Sequence, residues 1–455
     1  MKKIVGLLSA TMILFANSIT YPDSLSLSQA LEIVKSDNLE IKVAEFDKEI
    51  ATEESDIASG YNYGSLNLIQ DVARSNDAGN VFGFKLASRE ATFGDFGAQE
   101  FMTNFLAGHP DYVTPPKDLN YPADHNFFQS KLKYEVALFT GFKISSYKNI
   151  AEAMKKMKTL DKDQLLNEKI YQIRKSYYDM ALLKDAVKNL NIILNNINTL
   201  ENMTKSMIKE GYAKNVDLLE VQAKKGNVER LVNQMTSNEK LLYHYLSFLL
   251  NRKVTSIETP YQDIKMPSIS DTDIITNNID IQKASTGLDI RKNMVTAEQS
   301  AYYPTIGAFA EVSTADNTFL GNADDHKAYT VGARLTWNIF NGGIDSSSVQ
   351  KARIESLKTQ TQVELAKKGI VLQVAKIKTQ IQSYDDDIAS LKQELKLADQ
   401  IYKNYEARYR EQLASMSDVI IKQSEQIEKI LQLQEVRNKR NERIFALENI
   451  SNGDK

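Results

Sequence analysis

No cysteine occurs in the 455-residue chain, which excludes a disulfide framework, thiolate chemistry and lipid attachment through a thiol. Charge of one sign is also lacking: 56 basic residues face 59 acidic ones, so bulk electrostatics does not drive binding to nucleic acid. No apolar run approaches the roughly 20 residues that a membrane-spanning helix needs. If the chain spans a bilayer it does so with strands, which must close on themselves to satisfy their backbone polar groups in lipid. Nothing resembles a phosphate-binding glycine loop, a Ser-His-Asp set or the ligand spacing of a metal site. No catalytic residue, cofactor or metal is therefore expected, and the chain does not read as an enzyme. The four histidines are scattered: His109, His125 and His326 fall in loops and His244 in a helical run, places where solvent or packing explains them better than ligation.

What is present is a chain with 42% apolar residues, enough for a large folded object. It begins with Lys2 and Lys3, an apolar run from Ile4 to Ala16, and small or polar residues around Ala16, Asn17 and Ser18. That layout predicts a secretory signal peptide over residues 1–18.

The organising stretch is VGARLTWNIFNGG, Val331 to Gly343, whose layout occurs earlier as KLKYEVALFTGF, Lys131 to Phe142. Aligned, Leu132, Tyr134, Val136 and Leu138 meet Ala333, Leu335, Trp337 and Ile339. Apolar and polar residues alternate in both, the period of a strand with different surroundings on its two faces. Gly141 in one copy, and Gly342 with Gly343 in the other, fall where strand turns into helix, a corner that a residue without Cβ makes cheaply.

Upstream, Leu25 to Ser59 has helical spacing, with Ser28 as a candidate cap. NLEIK at Asn38 to Lys42 lies opposite NIDIQ at Asn278 to Gln282, an offset of 278 − 38 = 240. Pro304 pushes the residue before it out of helical geometry, and a second alternating strand follows, with Ile306, Ala308, Ala310 and Val312 on one face. Downstream, Ile170, Ile173, Tyr177, Met180, Val187, Leu190, Leu194 and Ile197 step at heptad spacing. The proline-free run from Gly141 to Glu210 predicts a helix of roughly 100 Å. Its counterpart runs from Gly343 to Glu411, and each ends in a short polar segment, GYAKNVD and QLASMSD, before a return helix. Here the offset is 418 − 217 = 201 at the two aspartates.

These spacings predict a mainly α chain with a small β part, built as two tandem repeats of two strands and a long helical hairpin. The first repeat is expected over residues 19–252, with strands at about 63–72 and 129–139, a loop at about 73–128 and a hairpin over 141–250. A linker with Pro260 and Pro267 covers 253–270. The second repeat is expected over 271–450, with strands at about 303–313 and 328–340 and a hairpin over 343–450. Four strands cannot close a transmembrane barrel, which needs at least about eight. The chain must therefore oligomerise: three copies give a 12-stranded barrel, two an eight-stranded one, and the long hairpins favour the larger bore. The outer face of the last strand would carry Tyr329, Val331, Ala333, Leu335, Trp337 and Ile339 against lipid, with Thr330, Gly332, Arg334, Thr336 and Asn338 facing the lumen. An ordinary sandwich strand with one wet face is the alternative for this stretch.

The duplicated strand, LFTG and IFNGG at the corners, the P-T-I after the helix break, and YAKNVDLLEVQA at the first tip resemble the TolC-like outer-membrane efflux protein family over nearly the whole mature chain. The resemblance implies a homotrimeric barrel in the outer membrane of a Gram-negative bacterium, continued by an α-helical coiled-coil tunnel in the periplasm. It implies a passive duct of a tripartite efflux pump or type I secretion system, exporting small molecules or proteins, with a periplasmic adaptor and an inner-membrane transporter as partners. A periplasmic or surface coiled-coil structural protein is the competing reading. Two features depart from the family: Gln412 where glycine is usual, and the length of the first loop.

The expected sites follow. Gly211, Ala213, Val216, Leu218, Ser415 and Ser417 at the hairpin tips would contact the adaptor, since loops at the ends of rigid elements are where partners dock. Asp418, Asp217 and Glu220 would stand at the channel mouth, where threefold symmetry makes a ring of like charge. Asp217 with Glu220 also has the spacing of a capping box.

Overall fold

The computed structural model describes residues 24–108, 112–260, 264–268, 270–321 and 324–451; the expected leader, residues 1–18, and His109 lie outside them. In chain order the elements are α1 (Leu27–Asp37), α2 (Leu39–Gly60), β1 (Ser65–Ser75), α3 (Ala78–Ala87), α4 (Ala98–Leu106), α5 (Lys117–Asn120) and β2 (His125–Phe139). Then follow α6 (Lys143–Lys209), α7 (Asn215–Leu249), α8 (Asp271–Asn277), α9 (Ile279–Gln299), β3 (Thr305–Asp316), β4 (Lys327–Thr336), α10 (Ile344–Arg410) and α11 (Met416–Ser451). Among the described residues they form two compact units, one from those up to 46, 160–282 and from 365 onward, the other from 47–159 and 283–364.

The first unit is helical. Ile173, Tyr177 and Met180 of α6 pack with Ile33 and Val34 of α1 and with Leu246 and Leu249 of α7, the heptad side chains doing what their spacing predicts. The wholly buried Tyr177 donates its hydroxyl to the Leu25 carbonyl at 3.0 Å, so a polar tip inside the core finds a partner. Where one helix was expected from Leu25 to Ser59, there are two. Asn38 ends α1 in an extended conformation (φ −63°, ψ 125°). Its Oδ1 accepts from Ile41 N at 3.0 Å, and its Nδ2 donates to the Leu249 carbonyl at the end of α7, at 2.8 Å. The same device occurs at Asn278, which accepts from Ile281 N at 3.0 Å and donates to the Ile450 carbonyl at 2.9 Å. Each asparagine satisfies orphan groups of two helix ends at once. The cap of α1 is Ser26 rather than Ser28, in a reciprocal box with Gln29. The linker is also more than a spacer, since Leu25 N donates to the Ser256 carbonyl at 3.2 Å and Glu258 N to the Leu25 carbonyl at 3.0 Å.

The second unit holds one antiparallel sheet in the order β1-β2-β3-β4, an up-and-down meander whose outer strands, β1 and β4, each keep one unpaired edge. The strands do not begin and end where the sequence pattern places them. β1 starts at Ser65, after a 3₁₀ turn at Tyr61–Tyr63, because Gly64 takes φ +70° and a Cβ there would lie 2.1 Å from the Glu135 carbonyl oxygen. β2 starts at His125, β3 extends to Asp316 and β4 ends at Thr336. Trp337 and Ile339, expected on the last strand, therefore lie beyond it. Leu138 also leaves the alternation, because a bulge sets Phe139 opposite Ile306. The expected loop at 73–128 is a connection from 76 to 124 that contains α3, α4 and α5; its Gly, Asn and Asp residues had masked short helices.

Candidate functional site: the hairpin tips and the two faces of the sheet

Both tips turn through a left-handed residue. Gly211 has φ +79° and Gln412 φ +61°, so Gln412 holds the conformation that glycine holds in the first tip despite its Cβ. The return helices are then capped by the same backbone scheme with different side chains. In the second tip, Ser415 Oγ accepts from Asp418 N at 3.1 Å, while Asp418 Oδ2 accepts from Ser415 N at 3.0 Å and from Ser415 Oγ at 2.6 Å. The Ser415 hydrogen bonds, helped by the charges of Arg408 and Lys422, hold the Asp418 carboxyl below the usual carboxylate range. In the first tip, Asp217 Oδ2 accepts from Lys214 N at 2.8 Å. Asp217 is thus the third helical residue of its box, not the cap, and the expected partnership with Glu220 is corrected. Glu220 instead meets the other tip: Ser417 Oγ donates to Glu220 Oε1 at 3.5 Å.

Of the expected adaptor residues, Gly211, Val216, Ser415 and Ser417 are exposed, while Ala213 and Leu218 are half-buried. Between the tips lie residues that sequence reasoning missed. Val221 and Val228 of α7 pack with Met416, Val419 and Ile427 of α11 and with Tyr402 and Tyr409 of α10. Lys224 Nζ donates to Ser424 Oγ at 2.6 Å, and burial pulls the Lys224 ammonium down. Glu201 accepts from Lys205 at 2.7 Å and Lys225 at 3.0 Å, and those hydrogen bonds take its carboxyl down to about 2. The i, i+4 spacing of Glu201 and Lys205 on a heptad helix was the available signal; Lys225 comes from α7.

The sheet's two faces differ chemically. Register places Leu66, Leu68, Leu132, Tyr134, Val136, Ile306, Ala308, Ala310, Val312, Tyr329, Val331, Ala333 and Leu335 on one face. Many of its large side chains stay exposed, Tyr329 at 81%, Leu68 at 78% and Val331 at 72%. A water-facing sheet would not keep such a face bare; the sandwich alternative required a layer over it. The opposite face carries Asn67, Asp71, Lys131, Lys133, Glu135, Glu311, Thr330 and Arg334, with Lys131 and Glu311 3.6 Å apart and Lys133 and Glu135 2.8 Å apart. The Phe309 ring lies over Gly332, where a Cβ would meet it at 2.6 Å. Apolar outside and polar inside is the pattern of a barrel wall. No helix among the described residues is long and apolar enough to cross a membrane, and no group of three metal-ligating side chains occurs among them.

Residues 272–453 match the outer membrane efflux protein family. Curated protein sequences yield no match. Among solved structures, the fold resembles CusC, described for its transmembrane channel formation (14% identity, TM-score 0.78, covering 93% of this chain and 91% of that one). It also resembles the outer membrane protein VceC of Vibrio cholerae (15% identity, TM-score 0.76, 94% and 96% covered). The CmeC outer membrane channel of Campylobacter jejuni is similar as well (12% identity, TM-score 0.76, 94% and 85% covered). The family match is confined to residues 272–453, while the fold over more than nine-tenths of the chain is the one these solved structures have.

Proposed function

We propose that three copies close one 12-stranded barrel, each chain contributing one structural repeat twice, with β1 of one protomer pairing β4 of the next. The observation that carries this is the four-stranded sheet with two unpaired edges and an exposed apolar face. Open edges are not tolerated in hydrocarbon, and four strands are too few to close alone. Mass measurement in mild detergent is expected to give three copies, and a stable folded monomer in membranes would overturn the reading.

The helical hairpins then form the periplasmic tunnel of a passive duct, serving a tripartite efflux pump or type I secretion system that exports small molecules or proteins. Energy comes from an inner-membrane transporter, and a periplasmic adaptor binds the tips at Gly211, Ala213, Val216, Leu218, Ser415 and Ser417. Their exposed or half-exposed positions at the ends of long helices support this. A bulky replacement at Ala213 or Ser415 is expected to abolish transport while trimer and membrane insertion persist. Asp418 forms the ring at the mouth, with Asp217 and Glu220 beside it. Its Oδ2 accepts from Ser415, and those hydrogen bonds favour the ionised carboxylate, which suits a cation-favouring constriction. Asp418→Asn is expected to weaken multivalent-cation block in single-channel recordings, and unchanged block would leave only the capping role.

A further inference from the structure

The connections at one end of the sheet are very unequal. β3 and β4 are joined by residues 317–326, whereas β1 and β2 are joined by residues 76–124, and the longer connection begins with a folded object. Asp77 caps α3 through its Oδ1, which accepts from Asn80 N at 3.0 Å. The Phe82 and Phe96 rings meet edge to face, 5.1 Å apart. Lys85 pairs with Asp95, and that bond holds the Asp95 carboxyl down to about 2. Such a segment is stiff, not a loose surface loop.

Its seat on the sheet is specific. The Phe84 ring of α3 stacks flat on Phe127, with centroids 4.2 Å apart and planes at 10°. Register puts Phe127 on the same face as Gln129, Lys131 and Lys133, the polar one. Phe127 is only 7% exposed, Val81 of α3 2%, and Ala315 on the same face 3%. The helix therefore covers the polar face and leaves the apolar face bare.

A second fastening reaches the other hairpin. Arg89, just after α3, takes φ +56°, a left-handed conformation that a side-chain-bearing residue adopts at some cost. That turn lets Nη2 donate to the Lys327 carbonyl, the first of β4, at 2.6 Å. Glu90 beside it approaches His125 Nε2 at the start of β2, at 3.6 Å. A connection that only had to avoid the bilayer needs neither the strained arginine nor a stacked ring on the polar face.

We propose that residues 77–106 form an outer gate, a plug that folds into the bore at the extracellular mouth and gives the channel a closure separate from its hairpin tips. The inference rests on the reading of the polar face as the lumen. Three copies bring three such plugs to one mouth, so export requires them to lift from Phe127 and from the β3–β4 connection.

The absence of cysteine makes the test clean. Thr336→Cys puts a thiol on the polar face at the end of β4 remote from the plug, where Thr336 pairs with Thr305. Intact cells are treated with a bulky, membrane-impermeant maleimide, and the labelling rate is read by gel shift. A mouth open about a tenth of the time slows entry about tenfold. Labelling in the full-length chain is therefore expected about tenfold slower than in a variant whose residues 77–123 are replaced by a short Gly-Ser turn, with Arg89→Ala in between. Equal rates in all three overturn the gate. If the shortened chain does not assemble, Arg89→Ala and Phe84→Ala decide alone, and unchanged rates in both overturn it. Val331→Cys on the apolar face separates the two readings: ready labelling there, or absence of a detergent-resistant trimer, sinks the barrel itself and not merely its gate.

Discussion

The two long hairpins have the same backbone plan and different fillings. Residues 201 positions apart by number (402 − 201, 426 − 225) carry unlike chemistry. In the first hairpin Glu201 gathers Lys205, Lys225 and Gln222. In the second, the matching place holds the buried Tyr402, whose hydroxyl finds no partner among the described residues, while Gln426 donates to Asp399 at 3.0 Å. At this matched place the first hairpin is crossed by the Glu201–Lys225 ion pair and the second by a buried ring and the Gln426 amide, although elsewhere the second also has Lys429–Glu394 and Arg440–Asp385 pairs across its helices. The two places differ in chemistry, although each tip turns through one left-handed residue and its return helix has an aspartate at the third position.

The sharpest break in that comparison comes from removing the ring. Tyr402→Ala is expected to destabilise the second hairpin by about 4 kcal/mol, read as faster amide hydrogen exchange over α10 and α11 with α6 and α7 little changed. Tyr402→Phe removes only an unpaired hydroxyl and is expected to be neutral or mildly stabilising. Equal losses in the two variants would mean the hydroxyl, not the ring, holds the hairpin.

The asparagine clamps test likeness rather than difference. Asn38→Ala and Asn278→Ala each strand a helix-end carbonyl and an N–H, so each is expected to cost about 3 kcal/mol. Thermal unfolding followed by circular dichroism should place both variants at nearly the same temperature. A gap between them would show that the halves do not use the clamp alike.

Glu201 carries the pH arm. Its carboxyl lies near 2 in the folded chain, below the ordinary value of 4.5. A depressed carboxylate contributes stability that is complete above the unfolded value and is lost as pH falls through the folded one. Acidification from about pH 4.5 towards about pH 2 should loosen the first hairpin more than the second, by about 2 kcal/mol. Glu201→Gln should abolish that selectivity, and exchange rates that rise equally in both hairpins would refute it. The smallest effect is expected at the tip: Gln412→Gly relieves a left-handed side chain and should stabilise by about 1 kcal/mol, seen as slower exchange around Leu413.

Long-range organisation was legible in the sequence because it rests on period. Heptad steps from Ile170 to Ile197, the alternation in β3 and β4, and the paired aspartates all leave marks that repeat. Boundaries were not legible where one residue's backbone decides. Asn38 and Asn278 look like ordinary helix residues until the carbonyls of Leu249 and Ile450 come to meet them. Gly64 reveals its role only beside the Glu135 carbonyl, and Trp337 reads as a strand residue because its hydropathy fits a pattern that the chain has already left. At the tips, the two aspartates were found by offset, but the Lys224 and Ser424 contact and the Glu220 and Ser417 contact join different hairpins, a proximity no local pattern encodes.

The free edges of β1 and β4 also bear on inheritance. In the proposed trimer every protomer offers both edges, so a chain with one edge spoiled, for instance by a proline in β4, can join a neighbour on one side and still leave the ring open. Cells making equal amounts of sound and spoiled chains would then assemble only roughly one-eighth of their rings from sound chains alone. A lesion of this kind would act dominantly, whereas loss of the whole chain would be recessive.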